Sequence, residues 1–137
     1  MLLLENKYLQ LSMDLHNEIA YLEWNRQTAF MSNEDFQNIL YMCMETLKEL
    51  QPKALLGNDQ HFSKPISPEL QEWTVAQLNP HLQTSGIRKM AFTSSRDFIG
   101  DLSIQQSVEE IQKNRPRKQL TVRYFENIED AKKWVSV

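Results

Sequence analysis

Short apolar stretches near the start of the chain predict an antiparallel hairpin. Residues 8–14 and 18–24 alternate apolar and polar positions or run apolar over a few residues, and the short segment 15–17 separates them. Alternation with a period of two is typical of strands that bury one face, and a short connection lets two such strands pair directly. We therefore expect the domain to open with two paired strands.

The hydrophobic period then changes to that of a helix. Ser32 precedes a stripe of apolar residues that recur every three or four positions, and Pro52 follows it. Serine is a favoured helix N-cap and proline cannot continue a helix, so one long amphipathic helix is expected. Tyr41, Met42 and Met44 fall outside this stripe, and a contact between subunits is one explanation. The stripe consists of Phe36, Ile39, Leu40, Cys43, Leu47 and Leu50.

Strands and helices alternate along the rest of the chain. Strands joined by crossover helices favour parallel pairing and right-handed connections. The order β-β-α-β-α-β-α-β-α predicts an α/β fold in one domain, residues 1–137, with a mixed, mostly parallel sheet of about five strands and about four helices. The further strands are expected at residues 53–58, 89–93 and 120–125, and the further helices at residues 67–82, at residues 101–113 and after Asn127.

Composition favours one small globular domain. Of the 137 residues 41% are hydrophobic, and 15 basic against 18 acidic residues give a formal charge of −3. A slightly acidic chain argues against a nucleic-acid partner. The single cysteine, Cys43, cannot form an internal disulfide, which favours a reducing compartment. The opening MLLLENKYLQL has too few apolar residues for a signal peptide or a transmembrane segment, so a cytoplasmic location is expected.

The residues that could carry catalysis are scattered along the chain. His16, His61 and His81 are at least 20 residues apart and fall in different predicted elements, which does not match the ligand spacing of a metal site. No glycine-rich phosphate loop or nucleophile elbow occurs, and the chain has only 3 glycines from which to build one. We therefore expect a protein that is not an enzyme and holds neither a metal nor a cofactor.

Short sequence motifs follow one another along nearly the whole chain. The hairpin ends in YLEW, SNEDF begins the first helix and ISPELQEW the second, and RKMAF, LSIQQSVEEI and VRYFENIEDAKKWV follow in that order. Taken together, these motifs resemble the SpoIIAA-like branch of the STAS superfamily, which is also described as STAS/CRAL-TRIO-related. The resemblance implies a single STAS-like (SpoIIAA-like) fold.

The same resemblance directs attention to the loop after the third predicted strand. STAS domains that antagonise anti-sigma factors carry a phosphorylatable serine or threonine at the start of the helix that follows this strand. Here residues 58–67 read NDQHFSKPIS, where Asp59 matches the acidic residue of that motif and Ser63 and Ser67 are the hydroxyls within reach. Ser67 before Pro68 is better explained as a helix N-cap. If the switch exists, a cognate kinase would phosphorylate Ser63 or Ser67.

The loops after the third and fourth predicted strands are expected to form a recognition edge. Ligands and partners of open α/β sheets dock beyond the carboxyl ends of parallel strands. The first hypothesis is therefore a non-catalytic STAS-like interaction module that binds a protein partner, or a second copy of itself, through these loops. The proposed binding residues are Asp59, Phe62, Ser63, Ser67, Trp73, Arg96 and Phe98.

The alternative hypothesis is a carrier or sensor of a lipid or small amphiphile, including one that associates with a membrane surface. The kinship of the resembled family with CRAL-TRIO lipid-transfer domains implies this role. Trp73 and Phe98 would then line an internal cavity, and Arg96 could meet an anionic head group. The acidic chain lacks a polybasic cluster that would hold it on an anionic membrane.

Overall fold

The structure is a computed structural model, and it describes residues 1–93 and 120–137. The predicted helix at residues 101–113 lies outside the described residues. The strands are β1 (Leu2–Glu5), β2 (Leu9–Asp14), β3 (Ile19–Trp24), β4 (Ala54–Asn58), β5 (Lys89–Thr93) and β6 (Thr121–Phe125). The α-helices among the described residues are α1 (Asn33–Leu50), α2 (Pro68–Thr84) and α3 (Ile128–Val135), and a short 3-10 helix spans Arg26–Phe30.

All of these strands join one sheet, in the same order as they occur along the chain. β1, β2 and β3 pair antiparallel, whereas β3, β4, β5 and β6 pair parallel. The crossover helices α1 and α2 cover one face of the sheet and α3 covers the other. Right-handed crossovers place successive helices on one face when the strands add in one direction. The predicted mixed α/β sheet is therefore confirmed.

The sheet has six strands where about five were predicted, because β1 adds one at the edge of the sheet. β1 reaches β2 through a tight turn at Asn6, whose Oδ1 accepts hydrogen bonds from the backbone N–H groups of Tyr8 at 2.8 Å and Leu9 at 3.1 Å. An asparagine that bonds the backbone two residues ahead is a turn former. A strand of 4 residues is too short to show alternation, so the polar ENK between two apolar runs is its one sequence signal.

Each described α-helix begins at the N-cap that the sequence predicts. Ser32 Oγ accepts from the Asp35 N–H at 3.0 Å, and Asp35 Oδ2 accepts from the Ser32 N–H at 3.4 Å. Ser67 Oγ accepts from the Leu70 N–H at 3.2 Å, and Asn127 caps α3 in the same way. These bonds satisfy N–H groups that a helix start leaves free, so they fix where each helix begins. None of the described helices is long and apolar enough to cross a membrane.

The sheet separates two hydrophobic cores. Leu55 and Met90 face the larger core under α1 and α2, whereas Leu56 and Ala91 face the smaller core under α3. β4 and β5 are thus buried on both sides, which explains their apolar runs. The small Ala131 lets the backbone of α3 come close to the strands, while the backbones of α1 and α2 stay farther away. The layer under α1 and α2 is therefore the thicker one.

Gly57 gives β4 room for an aromatic ring of the neighbouring strand. A Cβ at this position would lie 2.7 Å from Phe92 Cδ1 and 3.6 Å from Asp59 Oδ2. Carbon atoms pack at about 3.5–4.0 Å, so the ring occupies the place of a side chain. The φ angle of Gly57 is not positive, so the backbone conformation does not require glycine here. The lack of space for a side chain does. The ring of Phe92 and the carboxyl of Asp59 share this space.

We expect Gly57→Ala to lower the free energy of unfolding by about 1–3 kcal/mol, because the added methyl group must displace the Phe92 ring. Gly86→Ala is the matched control, since nothing lies within 4 Å of a Cβ there and its φ is not positive. That variant should be neutral or slightly stabilised. Urea denaturation of both variants measures the difference, and a Gly57→Ala protein as stable as the wild type would contradict this packing.

Candidate functional site

The loop between β4 and α2 turns into the protein. Phe62 in this loop is 1% exposed. Its ring centroid lies 5.2 Å from that of Trp24 and 6.3 Å from that of Phe36, and both contacts are edge-to-face. Aromatic pairs at this distance and angle are favourable beyond the area they bury. Phe62 therefore anchors the loop to the end of β3 and to the start of α1.

Two hydrogen bonds hold the loop just beyond Phe62. The Ser63 N–H donates to the buried Thr28 Oγ1 at 2.8 Å, and Lys64 Nζ donates to the Met31 carbonyl oxygen at 3.0 Å. Burial lowers the pKa of Lys64, and the negative charge of Asp35 acts in the opposite direction. Both acceptors belong to the segment that joins β3 to α1. The loop and this segment are thus held together as one unit.

Asp59 is a buried carboxyl directly after β4. Its backbone N–H donates to Thr93 Oγ1 at 2.9 Å, and the Thr93 hydroxyl donates to Asn58 Oδ1 at 3.3 Å, which ties together the ends of β4 and β5. Asp59 is 2% exposed, and its Oδ2 has no hydrogen-bond partner in the described part of the chain. Burial raises the pKa of Asp59 to about 8. At neutral pH this carboxyl is therefore mostly protonated.

The Asp59 side chain lines a cavity in the larger core. The cavity has a volume of about 120 Å³ and lies between the sheet and the helices α1 and α2. Its wall is mostly apolar and includes Trp24 and Phe62 at one side and Leu47 and Leu78 at the other. An apolar pocket with few polar groups is the usual form of a site for a small molecule. This cavity is the candidate functional site.

The other polar groups of the described cavity wall are occupied or weak. Thr74 Oγ1 donates to the Leu70 carbonyl oxygen at 2.8 Å. Burial raises the pKa of the Cys43 thiol to about 12, so the thiol stays protonated and offers a weak donor. Neither lysine nor arginine occurs in the described wall. Among the fully buried side-chain polar atoms of the described wall, Asp59 Oδ2 is the one that is left without a hydrogen-bond partner.

A second, smaller cavity extends the apolar space towards the far ends of α1 and α2. It has a volume of about 60 Å³ and shares Met44, Leu55 and Met90 with the first cavity. Polar residues, among them Gln51 and His81, line its other end. The apolar space under the two helices therefore continues from Asp59 towards a polar rim.

The loop residues expected at the recognition edge divide into two groups. Asp59 and Phe62 lie together in the cavity wall, so neither side chain is available to a protein docked on the surface. Ser63 is half-buried, and its hydroxyl donates to the His61 carbonyl oxygen at 3.0 Å. Ser67 is exposed and caps α2, as predicted. The burial of Asp59 and Phe62 therefore favours an internal binding site over a surface contact.

Trp73 is the remaining expected residue that the structure describes, and it lies outside the described cavity wall. It is half-buried between the helices, where its ring meets that of Tyr41 edge-to-face at 5.5 Å. This contact explains why an aromatic residue occupies position 41, which lies outside the buried stripe of α1. The neighbouring Met42 is exposed. Arg96 and Phe98 lie outside the described residues.

Sequence reasoning missed most of the cavity wall. Leu22 on β3 and Met90 on β5 line the cavity, and each reads in the sequence as an ordinary apolar residue. Met44 on α1 lines it too, so its assignment outside the buried stripe is wrong. A buried stripe looks the same whether it fills a core or surrounds a cavity. The one available signal is Asp59, an acidic residue placed directly after an apolar strand.

A polar groove of about 470 Å³ lies outside the cavity, beside the hairpin, and includes Glu5, Glu23 and His61. The two carboxylates already accept hydrogen bonds, from Gln10 Nε2 at 2.9 Å and from Asn58 Nδ2 at 3.0 Å. In residues 1–93 and 120–137, no group of three His, Cys, Asp or Glu side chains could hold a metal ion. The groove is therefore a weaker candidate than the cavity.

No protein-family model matches the chain, and no curated protein or solved structure matches it at a significant level. The interpretation of the cavity accordingly depends on its own geometry and chemistry. Within that geometry, the feature with the clearest physical consequence is the protonated Asp59 carboxyl.

We expect the free energy of unfolding to fall as the pH rises from about 4 to about 8. The folded protein keeps the Asp59 proton up to a pH of about 8, whereas the unfolded chain releases it near the ordinary value of 3.8. Because the folded state binds more protons over this interval, the contribution of Asp59 to stability is greatest below the unfolded pKa and is lost as the pH rises through the interval. Urea denaturation at several pH values measures the slope.

Asp59→Asn should remove this contribution, because an amide does not ionise. We expect the variant to be more stable than the wild type at pH 8 by about 2 kcal/mol or more, and similar to it near pH 4. Glu45→Gln, at an exposed position of α1, is the control and should leave the slope unchanged. A stability difference between Asp59→Asn and wild type that is the same at both pH values would contradict a buried, protonated Asp59.

Proposed function

We propose that the protein binds a small apolar or amphiphilic molecule in the cavity under α1 and α2. One observation carries this proposal: the buried Asp59 lines a mostly apolar cavity, and its Oδ2 has no partner in the described residues. Buried polar groups are almost always hydrogen-bonded, because an unsatisfied one costs free energy. A ligand that brings one polar group and an apolar body supplies the missing partner and fills the space.

The size of the cavity limits the ligand. Its volume of about 120 Å³ is close to that of an apolar cavity of about 150 Å³ that takes up benzene or xenon. A molecule of about this size fits beside Asp59, and the adjoining cavity of about 60 Å³ gives room for a short extension. A long acyl chain exceeds this space. The proposal therefore narrows the lipid or amphiphile of the alternative hypothesis to a small molecule.

Two earlier interpretations stay predictions. Membership of the STAS-like family is supported by the order of the sequence motifs and by the mixed α/β sheet. A protein-interaction module would have to use surface residues such as Ser63 and Ser67, since Asp59 and Phe62 are buried. The burial of these two residues is the reason why we favour the cavity over a docking edge.

Trp24 offers a direct readout of cavity binding. It lines the cavity, whereas Trp73 and Trp134 are absent from the described wall, so a Trp73→Phe/Trp134→Phe protein has one tryptophan at the site. We expect isopentanol, an amphiphile about the size of benzene, to change the Trp24 emission in a saturable way. It should also raise the midpoint of thermal unfolding, because a ligand that binds the folded state stabilises it.

Cys43→Leu should weaken this binding by about tenfold or more, because a larger apolar side chain fills part of the cavity. Met42→Leu, at the exposed neighbouring position of α1, is the matched control and should bind as the wild type does. Both variants are titrated by Trp24 fluorescence in the same background. Equal affinity of Cys43→Leu and Met42→Leu would place the binding site outside this cavity.

A further inference from the structure

The Asp59 carboxyl restricts which polar group a ligand in the cavity can bring. Its Oδ2 has no partner, and the described wall offers no lysine or arginine that could neutralise it. A buried carboxylate without a counter-charge is unfavourable, so the carboxyl stays protonated until something compensates its charge. Since residues 1–93 and 120–137 supply no such group to the wall, a ligand is the source that we consider.

Three ligand groups can be compared at this position. A carboxylic acid would bring a second group of the same kind, which ionises even less readily beside Asp59. An alcohol would make a neutral hydrogen bond. An ammonium group brings three donors and a positive charge, and charge-assisted hydrogen bonds are roughly twice as strong as neutral ones. The ammonium group is the best match for an isolated carboxyl.

The aromatic residues of the same wall favour a cation as well. Trp24, Phe36 and Phe62 all line the cavity with Asp59. Aromatic rings attract cations that lie within about 6 Å of their centroids, and the attraction grows when water is excluded. An ammonium–carboxylate pair also adds no net charge to the core, which limits the cost of placing both ions there.

We propose that the ligand of this cavity is a small primary amine, whose ammonium group pairs with the Asp59 carboxylate while its apolar body lies among the aromatic and aliphatic residues. This inference rests on the proposed function of the cavity. No covalent bond forms or breaks. The amine enters as its ammonium form, Asp59 gives up its proton to water, and the complex holds one positive and one negative charge.

The release of that proton gives the amine a characteristic pH dependence. Below a pH of about 8 Asp59 must lose a proton when the ammonium binds, so affinity for the amine should rise about tenfold per pH unit towards that value. A neutral alcohol binds the protonated carboxyl, so its affinity should stay constant below that pH and fall above it. Raising the pH should therefore increase the affinity for the amine and should never increase the affinity for the alcohol.

Besides Asp59, Cys43 is the one titratable residue in the described cavity wall, whereas His61 of the same loop lies in the groove beside the hairpin and His81 at the polar end of the adjoining cavity. Cys43, across the cavity on α1, has its pKa raised by burial to about 12. Glu23 on β3 accepts a hydrogen bond from Asn58, and Lys64 of the same loop bonds the Met31 carbonyl oxygen. The described wall residues of α2 and β5 include no titratable side chain.

The test compares isopentylamine with isopentanol, which have the same carbon skeleton and differ in the polar group. Both are titrated by calorimetry into the full chain between pH 6 and pH 8.5, and into Asp59→Asn. We expect the wild type at pH 8 to prefer the amine by about tenfold or more, with affinity that rises with pH. Asp59→Asn should lose this preference and keep its affinity for the alcohol.

Each other outcome has a definite meaning. Equal affinity for amine and alcohol, or amine affinity that does not rise between pH 6 and pH 8, overturns the amine proposal and leaves the cavity as the site of a neutral ligand. Absence of binding by both probes overturns the cavity proposal as well. Because the pH profile is measured on the wild type, the result stands even if Asp59→Asn does not fold.

Discussion

The edge-to-face contact of Phe62 with the stacked rings of Trp24 and Phe36 is the contact on which the site depends. Burial of a phenylalanine side chain contributes about 1.5–3 kcal/mol, and each well-placed aromatic pair adds about 0.5–1.5 kcal/mol. Phe62 is also joined to Asp59 by a hydrogen bond of 3.1 Å between its N–H and the Asp59 carbonyl oxygen. The ring therefore draws the whole loop inward, and Asp59 is carried into the core with it.

The same arrangement makes Asp59 a point at which stability and binding oppose each other. The backbone of Asp59 is fixed on both sides, by Thr93 and by Phe62, so a backbone movement that brought the carboxyl to solvent would break these bonds. A core that served stability alone would carry an apolar residue or a paired one at this position. Within the described residues, Asp59 Oδ2 has no such partner, and its burial therefore costs free energy.

Much of the fold follows from local signals in the sequence. Ser32, Ser67 and Asn127 mark the helix starts because their side chains bond N–H groups within the next three residues, and such short-range chemistry is readable from neighbours. The alternation of buried strands and helices predicts the parallel part of the sheet. β1 could not be predicted in this way, because a short edge strand is stabilised by its pairing with β2 and has no alternating pattern of its own.

The site is less predictable because it depends on distances between layers. Asp59 lies at the carboxyl end of a parallel strand, where a site is expected, and it can be located from the sequence. Its burial, however, depends on Phe62, which follows a run of polar residues and looks exposed in the sequence. The close approach of Phe92 to Gly57 likewise joins residues of two strands, and no local pattern reports it.

The agreement between strand order and chain order has a consequence for how the protein is made. Each strand pairs with the strand that precedes it in the chain, so none has to insert between two strands that are already joined. During translation, the edge with which each strand after β1 pairs leaves the ribosome before that strand does, so this order allows the sheet to grow in the direction of synthesis. The layer around Asp59 can close only after α2 and β5 have emerged, because both contribute residues to the cavity wall.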